Sequence, residues 1–131
     1  MQFHQLFANI ISNAIKYSKK NVQPHIQVTT DLVDYTELEE SGVAGTTYWK
    51  IKIRDNGIGF EKEHEKKIFD LFQRLHGKED YEGTGIGLAI CKKIMQNHHG
   101  YINAEGRPGK GATFNIYIPY EKQESAVSVE N

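Results

Sequence analysis

Trp49-Lys50-Ile51-Lys52-Ile53-Arg54-Asp55-Asn56-Gly57-Ile58-Gly59-Phe60 is the stretch from which the architecture is read. Its first half alternates an apolar residue with a cation, the period-2 pattern of a strand with one buried and one wet face. Its second half stops that alternation at a carboxylate and two glycines. A strand that ends in this way delivers an acidic side chain to a place where the backbone can approach another group closely, because glycine has no Cβ to block it.

Working outward, Ile26, Val28, Thr30 and Leu32 alternate in the same way and predict a partner strand. Residues 34 to 47 carry acidic, then Gly and Thr residues without periodicity and read as a long connecting loop with no assigned role. Residues 2 to 19 predict an amphipathic helix: at 100° per residue Phe3, Leu6, Phe7, Ile10, Ile11 and Ala14 fill one arc. Downstream, a short helix is expected around residues 63 to 72 and a polar stretch from His76 to Gly83. A second long helix is expected from about Ile86 to Asn97, burying Leu88, Ala89, Ile90, Ile94 and Met95 and ending at Gly100 in a left-handed C′ conformation. Residues 101–105 and 112–118 predict a hairpin across Pro108, Gly109, Lys110 and Gly111, with Phe114, Ile116 and Ile118 inward and Pro119 ending the strand. Four one-sided strands and two one-sided helices imply an α+β two-layer sandwich, with helices on one face of a mixed, mostly antiparallel sheet. Residues 1–120 form one domain in this reading, followed by a polar, flexible tail over 121–131.

Composition narrows the function classes. The chain has 131 residues, enough for one core, and its 16 basic and 17 acidic residues leave a formal charge of −1. No overall field favours nucleic acid or an anionic membrane, and no apolar run approaches the ~20 residues of a membrane span. The single cysteine, Cys91, excludes an internal disulfide and a multi-thiolate metal site, in keeping with a reducing, cytoplasmic setting.

Three segments carry chemistry. At the strand end, Asp55 can accept a hydrogen bond from an exocyclic amine, which adenine offers and guanine does not; taken alone the segment reads equally well as a plain glycine turn. Gly83-Thr84-Gly85-Ile86-Gly87-Leu88 opens the second long helix, where free N–H groups and the helix dipole favour phosphate. It is neither a P-loop nor a dinucleotide fingerprint, and by itself a flexible loop explains it as well. On the first helix Asn9, Asn13 and Lys16 fall at i, i+4 and i+7 and project together. An amide oxygen suits Mg²⁺ already coordinated by water and phosphate oxygens, Lys16 can neutralise a phosphate, and Tyr17 can stack on a base or ribose. A solvated face is the commoner meaning of such a cluster.

In this order the segments resemble the catalytic and ATP-binding domain of sensor histidine kinases. Asn9-Ile-Ile-Ser-Asn13-Ala-Ile-Lys16-Tyr17 is similar to the family's N box, Asp55-Asn-Gly57-Ile-Gly59 to its G1 box, Phe69-Asp-Leu-Phe72 to its F box and Gly83-Thr-Gly85-Ile-Gly87-Leu88 to its G2 box. The resemblance covers residues 2 to 119. It implies the Bergerat ATP-binding fold, with ATP and Mg²⁺ as cofactors, Asn13 helped by Asn9 on the metal, and Asp55 on the adenine amine. It further implies phosphate contacts by Lys16 and Arg74, a nucleoside contact by Tyr17, and a lid over residues 73–82 whose phosphate-binding end is shaped by Gly83, Gly85 and Gly87, with Phe72, Thr84 and Leu88 also among the cofactor-binding residues. The lid is short for the family, and Glu82 stands where a further glycine often precedes the G2 motif.

The acceptor histidine of this family lies on a separate helical dimerisation domain. No matching segment stands in this sequence: His64-Glu65-Lys66-Lys67 has Phe69 where a proline is required, so His64 is expected on the surface, and His98-His99 are expected to cap a helix end. The chain is therefore expected to be the ATP-binding part of a longer kinase, working with an upstream dimerisation and histidine phosphotransfer domain and a response regulator receiver domain, without nucleic-acid or direct membrane contact. Two rivals stay open on sequence: a non-catalytic ATP-sensing module, and another ATPase or serine kinase of the same fold.

Overall fold

The computed structural model describes residues 2–34, 45–70 and 87–120. Its elements run α1 (Gln2–Lys16), β1 (Ile26–Asp34), β2 (Thr47–Asp55), two 3₁₀ turns (Lys62–His64 and Lys67–Phe69), α2 (Gly87–Asn97), β3 (Tyr101–Arg107) and β4 (Gly111–Pro119). The body of the expected loop after Asp34, the lid segment and the tail lie outside the described residues.

The sheet has the order β1-β2-β4-β3, and all three described pairings are antiparallel. The expected α+β sandwich with a mostly antiparallel sheet is observed, and no parallel pairing occurs among the described strands. β1–β2 and β3–β4 each fold back on themselves, and the two pairs meet with β2 against β4 in opposite directions. Ile51 and Ile53 of β2 stand beside Ile116 and Phe114 of β4, in register with Ile102 and Ala104 of β3. Leu6, Ile10 and Ala14 of α1 and Cys91, Ile94 and Met95 of α2 cover that face, where Ile10, Met95 and Ile116 are fully buried. Removing a side chain of this size from water contributes about 1.5–3 kcal/mol, so this layer carries most of the fold's stability.

α1 ends three residues before the predicted limit. Tyr17 N–H still donates to the Asn13 carbonyl, but the Ser18 hydroxyl and amide both turn back to the Ile15 carbonyl, and Asn21 adopts φ 64°. A side chain that bonds the local backbone offers an alternative to the next helical turn. Ile11, placed in the buried arc, lies at its rim and is 37% exposed. The predicted short helix is two 3₁₀ turns instead. Ile68 and Phe69 are buried in the second, and Asp70 is extended.

α2 begins at Gly87 and ends as expected at Asn97, but its left-handed residue is His99 (φ 60°), not Gly100. Gly100 N–H donates to the Met95 carbonyl at 2.8 Å, and its missing Cβ leaves space for the Tyr117 carbonyl. His98 stacks on Phe3 with ring centroids 4.5 Å apart, which joins the end of α2 to the start of α1. His64 is half-buried, not exposed as expected.

Two further differences concern the sheet faces. Val28 and Leu32 are 52% and 51% exposed, although their alternation marks an inward side. They sit on the edge strand, and both described helices pack over the other strands. The face without helices is not wholly wet either: Tyr48 and Tyr117 are buried there with Val33 and Tyr101 against them, and Lys50 Nζ lies 5.7 Å from the Tyr117 ring. Asn115 is buried between them and the strand end, donating to Asn103 Oδ1 at 2.9 Å.

Candidate functional site

The site is built around the loop that follows β2. Asp55 is the last residue of the strand, with Ile26 on one side and Ala112 on the other. Its Oδ1 accepts from Gly57 N–H at 2.8 Å and from Ala112 N–H at 3.3 Å. Its Oδ2 has no protein partner among the described residues. Burial raises the carboxyl above its ordinary 3.8, and the two N–H bonds oppose that rise. The carboxylate is therefore held in one orientation by one oxygen while the other remains available to a ligand.

Main-chain contacts on both sides fix the loop. Ile58 N–H donates to the Tyr17 carbonyl at 3.0 Å, and Gly109 N–H donates to the Ile58 carbonyl at 2.7 Å. A Cβ on Gly57 would stand 2.6 Å from the Tyr17 carbonyl oxygen, so the end of α1 reaches the loop only over glycine. Gly59 adopts φ 71°, and a Cβ there would overlap the Arg107 carbonyl and lie 2.8 Å from that of Gly111. Left-handed backbone and lack of space coincide at this residue. Phe60 then enters the core and fills the position beside Gly106.

From the other layer, α1 brings its polar sector to the same end of the sheet. Asn9 Nδ2 donates to the Gly87 carbonyl at 3.5 Å, and the Asn9 amide also bonds the Cys91 thiol. The first residue of α2 is thereby tied to the middle of α1. Asn13 is half-exposed, and its side-chain amide makes no hydrogen bond among the described residues; Lys16 is exposed at the helix end. At Gly87 a Cβ would meet no atom of the described residues within 4 Å. Leu88 is partly buried against the core. Phe72, Arg74, Gly83, Thr84 and Gly85 lie outside the described residues. Phe69, at the head of the same motif, is buried edge-on to Phe114 with ring centroids 6.2 Å apart.

The structure thus brings Asp55 and Gly57 to the end of α1 at Tyr17, sets Gly59 against Arg107 and Gly111, and joins Asn9 to Gly87. Sequence reasoning missed the partners that are main-chain atoms: the Tyr17 carbonyl, the Ala112 amide and the hairpin turn at Gly109. The Gly109-Lys-Gly111 run gave a signal for a hairpin but none for what the hairpin would touch. Asn56 was also missed. Its Oδ1 accepts from His25 N–H at 2.8 Å, and its Nδ2 donates to the Gln23 carbonyl at 3.2 Å, which pins the approach to β1. Among the described residues no group of three or more His, Cys, Asp or Glu side chains could form a metal cage.

Residues 1–122 match the family model described as histidine kinase-, DNA gyrase B- and HSP90-like ATPase. The chain belongs to this family. It is 42% identical over 123 residues to cyanobacterial phytochrome A of Nostoc sp., covering 94% of this chain and 14% of that protein. It is 36% identical over 122 residues to the sensor histidine kinase WalK of Bacillus subtilis, covering 92% of this chain and 18% of that protein. Among solved structures, the nucleotide-free catalytic domain of histidine kinase ThkA superposes with a TM-score of 0.63 at 28% identity, over 90% of this chain and 67% of that one. This ATPase-family domain therefore has the fold of histidine kinase catalytic domains and spans under a fifth of these two curated relatives. Among its described residues no helix is long and apolar enough to cross a membrane.

Proposed function

We propose that this domain is the ATP-binding catalytic unit of a sensor histidine kinase, which binds Mg-ATP and delivers the γ-phosphoryl group to a histidine on a separate dimerisation domain. The observation that carries this reading is Asp55, a half-buried carboxylate with one oxygen fixed by two backbone N–H groups and the other unspent. A fixed acceptor of this kind selects an exocyclic amine, and adenine presents one where guanine presents an oxygen. Gly57 and Gly59 keep the floor beside it free of side chains.

The other residues fit the polar half of the same ligand. Asn13 would offer its amide oxygen to Mg²⁺ shared with the phosphates, and Asn9, whose Nδ2 faces Gly87, would help through Oδ1. Lys16 would neutralise phosphate charge, Tyr17 would contact the nucleoside, and the N–H groups at Gly87 and Leu88 would face the phosphates. Mg²⁺, when bound, supplies charge neutralisation on the phosphate oxygens. Phosphoryl transfer needs mainly positioning and electrostatic stabilisation, which amides, a lysine and a helix start can provide. Arg74, Phe72, Gly83, Thr84 and Gly85 complete the set proposed from sequence. The partners proposed for the parent protein are its dimerisation and phosphotransfer domain and a response regulator receiver domain.

Calorimetry of the chain with ATP and GTP, with and without Mg²⁺, tests the binding part. Mg²⁺-dependent preference for ATP, lost in Asp55→Asn, is the expected result; equal affinity for GTP overturns it. Transfer is tested by mixing the chain with γ-labelled ATP and a helical dimerisation domain in trans. An acid-labile, base-stable label on that partner is expected, and binding without any label overturns the kinase reading.

A further inference from the structure

On the face of the sheet that carries no helices, behind the Asp55 loop, lies a second concavity. Ile53 points into the core, so Arg54, the next residue of β2, projects to the opposite side with its register partner Gln27. His25, Gln27, Arg54, Asp55, Asn56 and Lys110 line a cavity of about 230 Å³ there. Ordinary small-molecule sites run from ~300 to 1,000 Å³. A phosphate group fits within this volume.

Its charge is inverted relative to the chain, whose formal charge is −1. Arg54 and Lys110 bring two basic side chains to it, and His25 adds an imidazole. Among the described residues no carboxylate pairs with any of the three. Asp55, the one acid in the lining, has its Oδ1 engaged by the Gly57 and Ala112 amides. Glu105 is on the same face but two strands away from Arg54, across Thr113. The framework is set by three separate elements: Asn56 holds the chain at Gln23 and His25 through two hydrogen bonds, and Lys110 N–H closes the β3–β4 turn on the Arg107 carbonyl at 2.9 Å.

We propose that this concavity is an anion site that takes one phosphate group, free or as a monoester, with Arg54 and Lys110 as its charged ligands. The guanidinium fork matches two phosphate oxygens at once, and the ammonium supplies a point charge from the hairpin side. The site shares Asp55 with the proposed nucleotide pocket, whose other residues lie on the helix side of β2, whereas Arg54 and Gln27 face the opposite side.

The test is a titration of the full ¹⁵N-labelled chain with sodium phosphate and with phenyl phosphate, against sodium chloride at matched ionic strength. The expected result is saturable shifts at the amides of His25, Arg54 and Asn56 and at the Arg54 side chain. Arg54→Gln and Lys110→Gln should each weaken that binding by about tenfold, with the remaining spectrum unchanged. Saturation by phenyl phosphate as well identifies a monoester as an acceptable source, and saturation by inorganic phosphate alone identifies the free ion. Shifts that follow chloride equally, or that appear at Asn13, Lys16 and Gly87 without the Arg54 cluster, overturn the proposal. Those α1 and α2 signals report the nucleotide pocket separately, so failure of one site is not mistaken for failure of the other.

Discussion

Asp55 shows how one residue can serve fold and ligand with different atoms. An asparagine at 55 keeps an oxygen for the Gly57 and Ala112 amides but replaces the free oxygen with a donor. Asp55→Asn is expected to leave the urea midpoint nearly unchanged and to weaken ATP binding by roughly ten- to a hundredfold, the worth of a charge-assisted hydrogen bond. Its protonation follows the same logic. The folded carboxyl titrates above its ordinary 3.8 because burial disfavours the anion. The folded state therefore binds this proton more tightly than the unfolded chain. The stability contributed by the protonated form is present at low pH and lost as pH rises from the ordinary value through the raised one. ATP binding runs in the opposite direction: it weakens as pH falls through the raised value. Calorimetry and urea titrations between pH 3 and 7 should show both trends as the difference between the wild-type chain and Asp55→Asn. The glycines separate in a similar way. Gly59→Ala meets the Arg107 carbonyl in a left-handed backbone and should cost more than about 2 kcal/mol by denaturation. Gly87→Ala meets nothing within 4 Å among the described residues, so it should not lower stability but should lower ATP affinity, read by calorimetry.

At the scale of elements, the alternation in residues 49–54 was sufficient to place β2, because a strand between two neighbours has a buried side wherever helices cover it. Applied to β1, the same alternation gave the right strand and the wrong burial. Which strand lies at an edge is a property of topology, and no local pattern encodes it. Ile53→Ala should therefore cost about 2–5 kcal/mol in urea unfolding, whereas Leu32→Ala should change stability by less than ~0.5 kcal/mol. The helix limits tell a related story. α2 was legible to within a residue, while α1 lost its last turn to a serine hydroxyl that bonds the Ile15 carbonyl. The four motifs were legible as residue types in order. Their joints were not, since Tyr17, Ala112 and Gly109 act through carbonyls and amides that every residue but proline possesses.

Over the whole molecule, two layers meet around Cys91, which is fully buried between α1 and the sheet, its sulfur 3.7 Å from the Leu6 carbonyl. Burial pushes its thiol up to about 11. Alkylation by iodoacetamide at pH 8 should be slow in the native chain, speed up at the urea concentration that unfolds it, and slow further with saturating ATP, which makes this atom a reporter of global opening. The loop that presents Asp55 depends on that integrity differently. Its two main-chain fastenings, from Ile58 to Tyr17 and from Gly109 to Ile58, run from backbone to backbone between residues far apart in the chain. Mutational drift can exchange most side chains around it, Pro108 and Lys110 included, and leave its shape intact. The geometry leaves no latitude at the handful of positions where a single extra carbon would pry the fastenings apart.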